Sequence, residues 1–467
     1  MAAFVSRLHH IALHVRNVDK VAYDLVQKFK FNLFFTRETE SFKQLAFKKG
    51  AAVFIVNERP NSPHFGLNGG STLSSTSGTS LKSEQEWNKK IGKGKYKNGT
   101  DSCLYDVYPQ YSVDTACNVC FEVEDVESSF KFLRKQGCVF LVPPTEVCDD
   151  KGVVTYMVVK SIVGNVNHTL VDRTRYDGSF LPGFQEVDTV MNNGRPTVKN
   201  TESCPISHFD HITYACPRML TPQVIRWYER NFGFQRFFIE SNEDVDEGFV
   251  LSQDGIGLRL TAMYWKSSEK GTQLLSPDKK EPVCKFVIAE SLPEQGSNQV
   301  ETFLEQHRGP GIQHIGLYTE DIVSTAQTMA QAGVHFFSPP PAYYTEVGKQ
   351  KEMEEAGHDP QVLSQYGILL DTDLRQTDLS RQAIDAQGKR YLLQVFTKPI
   401  FCEDTFFLEL IERRGASGFG EGNIRALWRS VQAYMESERA ETREENTAEQ
   451  QHTSLESLPT RQNVYED

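Results

Sequence analysis

No run of about 18 apolar residues, the length a membrane-spanning helix needs, occurs anywhere in the 467-residue chain. Positive charge is also short. Against 62 Asp and Glu stand 50 Lys and Arg, a formal charge of -12, and the pI is near 5.6. With no basic stripe to neutralise a row of phosphates, nucleic acid is excluded as a partner. Cysteine is sparse, nine residues spread thinly. An odd number, with no apolar secretory signal near the start, points to a reduced intracellular compartment rather than a disulfide framework. Acids are missing from the first 18 positions, which hold Arg7 and Arg16, a bias shared with mitochondrial presequences. A strand that begins at Leu8 leaves little room for a cleavable leader.

What is present suits an ordinary globular protein, 39% hydrophobic and 24% charged. The length exceeds one core, so two domains of about 150 to 200 residues each are expected. Hydrophobic periodicity then gives one pattern four times. The first unit has strand 8–15, helix 19–29 and strands 32–36, 43–47 and 51–56. The second starts at Ala116, with helix 126–136 and strands 138–142, 153–159 and 165–171. The third starts at His208, with helix 221–232 and strands near Phe237, Phe249 and Leu258. The fourth starts at Gly311, with helix 322–333 and strands 335–337, 367–371, 391–397 and 406–411. The fold class is therefore α+β, four βαβββ units paired into two domains, 1–177 and 207–436, with a linker at 178–206 punctuated by Pro182, Pro196 and Pro205. Residues 61–111, rich in Ser, Gly, Lys and Asn, read as a flexible insertion, and 437–467 as a disordered tail. After a candidate N-cap at Asn423, the apolar residues Ile424, Leu427, Trp428, Val431, Tyr434 and Met435 fall at helical spacing. Such a helix packs on the domain surface or covers the mouth of a site.

One residue is out of place. Glu409 lies inside the apolar run Phe406-Phe407-Leu408-Glu409-Leu410-Ile411, where an unpaired carboxylate is costly to bury. His211 in Phe209-Asp210-His211-Ile212 and His314 in Ile312-Gln313-His314-Ile315 sit in strands of the same look. Two imidazoles and one carboxylate are the donor set of the facial triad that holds Fe(II) and leaves adjacent positions open. A structural zinc site would want four protein ligands, usually including cysteine, and neither Cys204 nor Cys216 is placed as a fourth. The spacings, 103 residues from His211 to His314 and 95 from His314 to Glu409, are not diagnostic by themselves.

The signal lies in the repeat. His10, His211 and His314 share one slot in the first, third and fourth units, Asn118 fills it in the second, and His168 stands at the slot of Glu409. Only the C-terminal pair keeps the full set, so His10 reads as a packed core histidine. Cys117 and Cys120, three apart on one strand, face opposite sides and read as packing residues rather than a chelating pair. On the strand beside that of Glu409, Gln394 and Phe396 share a face, an amide and a ring suited to a substrate with a polar head and a flat ring.

The stretches Asp210-His211-Ile212, Gly311-Ile312-Gln313-His314-Ile315, Tyr391-Leu392-Leu393-Gln394-Val395-Phe396-Thr397-Lys398-Pro399, Phe407-Leu408-Glu409 and Gly418-Phe419-Gly420-Glu421-Gly422-Asn423 resemble the 4-hydroxyphenylpyruvate dioxygenase family. The likeness covers about residues 5–436. Ala289-Glu290-Ser291-Leu292-Pro293 and Ala356-Gly357-His358-Asp359-Pro360 resemble its dioxygenase-like branch more narrowly. The resemblance implies the vicinal oxygen chelate fold, Fe(II) on His211, His314 and Glu409, and a 2-oxo acid and dioxygen as substrates. It further implies Gln313 and Gln394 as polar neighbours of the substrate, Phe396 and Phe419 as a ring clamp, and a homodimer as a candidate assembly.

Two departures stand out. Where the family carries Pro-x-Asn this chain reads Val287-Ile288-Ala289, and Ile424 replaces an expected phenylalanine. Neither touches a ligand. The lost amide beside Ala289 releases the phenol, so oxygen is expected at the benzylic carbon, giving 4-hydroxymandelate for a coenzyme Q ring pathway in mitochondria, rather than on the ring, giving homogentisate. The competing readings are a non-catalytic binding protein that kept the fold, against which the intact triad speaks, and a ring-cleaving dioxygenase of catechols.

Overall fold

The computed structural model describes residues 5–59, 103–187, 204–372 and 390–423, apart from short gaps at 40–41, 110, 240–242, 246–247, 254–255, 266–283, 293–297, 404, 417 and 421. The helix expected over 424–435, the tail at 437–467 and residues 61–102 of the insertion lie outside the described residues.

The first unit is built from β1 (Val5–Val15), a helix at Val18–Tyr23, β2 (Asn32–Glu38), β3 (Lys43–Lys49) and β4 (Ala52–Glu58). The second has β5 (Thr115–Val123), a helix at Val126–Lys135, β6 (Phe140–Asp149), β7 (Gly152–Lys160) and β8 (Asn167–Tyr176), with a short β9 (Gln185–Glu186) after it. The third has β10 (Ile206–Cys216), a helix at Thr221–Phe232, β11 (Gln235–Phe237), β12 (Phe249–Gln253), β13 (Ile256–Tyr264) and β14 (Lys285–Ser291). The fourth has β15 (Gly311–Thr319), a helix at Ile322–Gln331, β16 (Leu369–Thr372), β17 (Tyr391–Phe396) and β18 (Phe407–Arg414).

In each unit the first strand pairs in parallel with the last: β1 with β4, β5 with β8, β10 with β14 and β15 with β18. First strands of partner units pair antiparallel, β1 with β5 and β10 with β15. Two sheets result, ordered β6-β7-β8-β5-β1-β4-β3-β2-β9 and β11-β13-β14-β10-β15-β18-β17-β16, with β12 on β13. This is the expected α+β arrangement of four βαβββ units in two pairs.

The same local chemistry starts the helices. Asn17, Asp125 and Asp321 each accept the backbone N–H of the residue three further on, the preferred cap for those otherwise unpaired donors. In the C-terminal pair a buried glutamate from the last strand adds to this: Glu290 accepts from Thr221 N, and Glu412 from Ile322 N at 2.8 Å. A carboxylate is favoured at a helix N-terminus. These partners account for two buried acids of β14 and β18, and leave Glu409 unexplained by the fold.

The two pairs of units share one core. Phe54 meets Phe209 at 5.0 Å between ring centroids, and Phe121 packs on Phe232, Trp265 and Phe286. On its inner side the N-terminal sheet is filled by Phe35, Tyr105, Tyr156, Phe180 and Phe184.

This filling corrects two expectations. The end of the expected flexible insertion is packed, with Cys103, Tyr105 and Asp106 buried, because Asp106 collects donors from His14, Asn57 and Asn118. The expected linker likewise begins as packed chain, with Phe180 and Leu181 in the same cluster and β9 pairing with β2. In the fourth unit the strand expected at 335–337 is reduced to one bridge, Phe336 to Thr397, and short helices at Ala342–Thr345, Val347–Glu355 and Pro360–Tyr366 precede β16.

Candidate metal centre

A β-bulge aims each histidine of the C-terminal pair. Along β10 and β15 the register runs Phe209 to Leu317 and then His211 to Gly316, and Thr213 to His314 and then Tyr214 to Ile312. Asp210 and Gln313 are thus the extra residues, each just before its histidine. A bulge bends the strand and re-aims the side chain beside it. β18 runs parallel to β15 and sets Glu409 opposite Gly316, the same residue that faces His211. Gly316 has to be glycine, since a Cβ there would lie 2.4 Å from His211 Cε1.

The three donor groups meet, all within 4.8 Å of one another and all buried. His211 Nε2 is 3.0 Å and His314 Nε2 3.6 Å from Glu409 Oε2. The imidazoles stand edge to face at 5.5 Å and 88°. His211 Nδ1 donates to Asp210 Oδ1 at 2.9 Å, and His314 Nδ1 to Gln313 Oε1 at 3.3 Å. Each ring thereby turns Nε2 towards Glu409, the tautomer a metal requires. Gln394 Nε2 donates to Glu409 Oε1 at 3.0 Å and to the Phe419 carbonyl at 2.9 Å, which leaves Oε2 facing the imidazoles.

The electrostatics favour a cation. Burial works against charge on His211, but Glu409 and Asp210 outweigh it and lift its pKa to about 9. Burial, and then the charge on His211, hold His314 well below the usual imidazole range. A dication held here would be met by two imidazole Nε2 atoms and a carboxylate. The donor set fits Fe(II): nitrogen and oxygen ligands, no thiolate, three protein groups on one side.

A narrow cleft of about 50 Å³ opens from this cluster, lined by His211, Thr213, Leu260, Val287, His314, Gln394, Phe396, Glu409, Phe419, Gly420 and Asn423. Phe396 and Phe419 are brought to it together with the donors, and Phe407 stacks on His314 at 4.8 Å. Gln394 is brought there too, its oxygen accepting from Asn423 Nδ2 at 3.3 Å. Gln313 is not among the lining residues; its oxygen is turned onto His314 instead.

Several members were not singled out from the sequence. Thr213, Leu260 and Arg413 carried no signal of their own, and Asp210, Val287 and Asn423 stood out only inside longer stretches or, for Asn423, as a helix cap, because strand register and the bulge at Asp210, rather than residue type, bring the strand residues in. Ala289 shares the face of Val287, paired with Ala215 on β10, in an apolar cluster with Leu258, Leu260 and Phe419.

The N-terminal pair shows what the same slots do without the triad. His10 and Asn118 follow bulges at His9 and Cys117. Cys120 faces Thr169 on β8 as Gly316 faces Glu409, so Thr169, and not His168, occupies the slot of Glu409. The offset is one residue, and on a strand one residue reverses the face. His168 points the other way, bonding Tyr228 Oη at 2.7 Å and the Val119 carbonyl. Among the described residues two further groups have metal-ligating atoms close together, His9–His10–Cys120 and His14–Cys103–Asp106. Both are engaged: His9 and His10 bond each other at 2.8 Å, and Asp106 accepts from His14, Asn57, Asn118 and its neighbour's N–H. Cys117 and Cys120 are both buried free thiols.

Residues 208–359 match the Glyoxalase/Bleomycin resistance protein/Dioxygenase superfamily. The chain is 39% identical over 436 residues to the 4-hydroxyphenylpyruvate dioxygenase-like protein of Mus musculus, covering 92% of this chain and 98% of the mouse protein. It is 32% identical over 319 residues to the 4-hydroxyphenylpyruvate dioxygenase of Yarrowia lipolytica, 68% of this chain and 72% of that one. Among solved structures, a mutant 4-hydroxymandelate synthase from Streptomyces coelicolor has the same fold, with a TM-score of 0.60 over 92% of this chain and 99% of that chain at 20% identity.

Proposed function

The chain belongs to the 4-hydroxyphenylpyruvate dioxygenase family, and from that premise we propose that it is an Fe(II)-dependent dioxygenase that converts 4-hydroxyphenylpyruvate by oxidative decarboxylation and hydroxylation to 4-hydroxymandelate. The observation that carries the reading is the meeting of His211, His314 and Glu409 from three adjacent strands, with all donor atoms within 4.8 Å. These three residues would hold Fe(II), which would supply the redox and Lewis-acid chemistry for a 2-oxo acid and dioxygen.

The chain's own groups do the rest. Asp210 and Gln313 hold the Nδ1 protons of the two histidines. Gln394 orients the Glu409 carboxylate. Phe396 and Phe419 line the cleft and offer flat apolar faces to an aryl ring, excluding water from the reacting carbon.

The product reading rests on the apolar wall. Leu260, Val287 and Ala289 form one cluster with Phe419, and no amide projects from Ala289 to fix a phenol. Attack on the ring with side-chain migration needs that phenol held in one pose; the benzylic carbon, next to the 2-oxo acid, needs no such anchor. The product then serves as a precursor of the coenzyme Q ring in mitochondria, a role the family likeness suggests and cell fractionation checks.

Incubation with Fe(II), oxygen and 4-hydroxyphenylpyruvate tests the reading. Oxygen uptake with 4-hydroxymandelate as product is expected, and Glu409→Ala abolishes both. Homogentisate as sole product overturns the regiochemistry, and iron bound without uptake overturns the enzyme. Ala289→Asn, which puts an amide in the apolar cluster behind Val287 and Phe419, should move product towards homogentisate.

A further inference from the structure

Asp210, the extra residue of the β10 bulge, is a buried carboxylate on an apolar strand. The equivalent bulge residues are His9, Cys117 and Gln313. Of the four positions one bears an acid, and there a guanidinium meets it. Arg413 lies on β18 four residues beyond Glu409 and on the same face of the strand. Its Nε and one terminal nitrogen donate to the two Asp210 oxygens, each at 2.7 Å. The other terminal nitrogen donates to the Gly418 carbonyl. The guanidinium carbon lies 6.0 Å from the Phe419 ring centroid, and the side chain is only 12% exposed.

We propose that Arg413 is a positioning residue that fixes both walls of the cleft at once, His211 through Asp210 and the Phe419 segment through Gly418, so that metal ligation and the clamp on the substrate ring are set by one side chain. The inference rests on the iron reading of the site.

The chemistry asks for a reason of this kind. Burying an ion pair is costly and does little for stability by itself, and His314 is oriented by a neutral amide without one. What arginine adds is reach in three directions. Its planar fork takes both carboxylate oxygens and still has N–H groups for a carbonyl, which a lysine ammonium cannot match in geometry. The Asp210 oxygen that receives His211 Nδ1–H is thereby pinned, and the loop that follows β18 is tied to the same group. The edge of the His211 ring in turn meets Phe419 at 5.5 Å, closing the circuit from ligand to clamp.

The test uses the full-length protein and two readouts, Fe(II) affinity by anaerobic chelator competition and the affinity for 4-hydroxyphenylpyruvate of the iron-loaded protein without oxygen. Arg413→Gln should weaken Fe(II) binding about tenfold, the low end of the about 10–100-fold usual for losing the direct partner of a metal ligand, here Asp210. Arg413→Lys keeps the charge beside Asp210 but cannot also hold Gly418. It should bind Fe(II) within a few-fold of the parent while binding the 2-oxo acid about tenfold more weakly. If both variants only melt earlier, with both affinities unchanged for the folded fraction, Arg413 is structural and the proposal falls. It also falls if Arg413→Lys matches the parent in substrate binding, a result available even if Arg413→Gln does not fold. Should 4-hydroxyphenylpyruvate not be the substrate at all, the Fe(II) affinities still decide the arm through His211.

Discussion

At the scale of single residues, the metal centre depends as much on what is small as on what ligates. Gly316 lies across from both His211 and Glu409, and its missing side chain is the space the His211 ring occupies. A methyl group there would sit 2.4 Å from Cε1 and 2.5 Å from Nδ1, inside contact distance with a buried ring that has nowhere to go. Gly316→Ala is therefore expected to weaken Fe(II) binding by about 10–100-fold without removing any ligand. A competition titration against a chelator measures it, and parental affinity would show that the ring can shift and still ligate. The glycine was written in the sequence within Gln313-His314-Ile315-Gly316, but nothing in its type marked it as the partner of a histidine 105 positions away. The ligands were legible for a different reason. A carboxylate in an apolar strand and two histidines in repeated slots each break a pattern, whereas a glycine, a threonine or a valine in a strand breaks none.

At the scale of elements, periodicity revealed the four units because each repeats a local pattern of strand, helix and strands, three of the four helices with a cap from the residue before them. It failed where meaning depends on register between strands far apart in sequence. His168 shows this: its letter matched the slot of Glu409, yet the pairing of β5 with β8 gives that slot to Thr169 and turns His168 outwards onto Tyr228. The same limit hid the bulges at Asp210 and Gln313, since an extra residue in a strand is visible only against its neighbour. His168 consequently belongs to the shared core, and its replacement should be felt in stability alone. His168→Leu removes a partner of the Tyr228 hydroxyl and of the Val119 carbonyl, at a cost of about 1–3 kcal/mol for polar groups left buried, while Fe(II) affinity stays at the parental value. Denaturant unfolding with a parallel iron titration separates the two effects. A loss of iron binding would mean that the second unit reaches the metal centre after all.

At the scale of the whole molecule, three histidines buried in or beside the N-terminal half tie its folding to pH. Composition fixed the net charge but could not reveal this, because an imidazole's pKa depends on what encloses it. Burial is the leading cause in all three: it takes His10, His168 and His307 from 6.5 to about 4. His307 also spans the two halves, bonding Thr115 Oγ1 at 2.8 Å from the C-terminal side. All three fold as neutral rings and take up a proton more readily when unfolded. The unfolded state thus binds more protons between about pH 6.5 and 4, so stability is fully present above pH 6.5 and is lost as pH falls through that window. Each ring is worth about 3 kcal/mol over the full range. Between pH 6.5 and 5 ordinary carboxylates remain ionised, and the fall there belongs to histidine. Chelator-treated protein should accordingly melt at progressively lower temperature from pH 6.5 to 5, and His168→Leu, with one such ring fewer, should show a shallower slope than the parent. A melting temperature flat across that interval, or a slope unchanged by the substitution, would mean that these imidazoles are already charged in the folded protein.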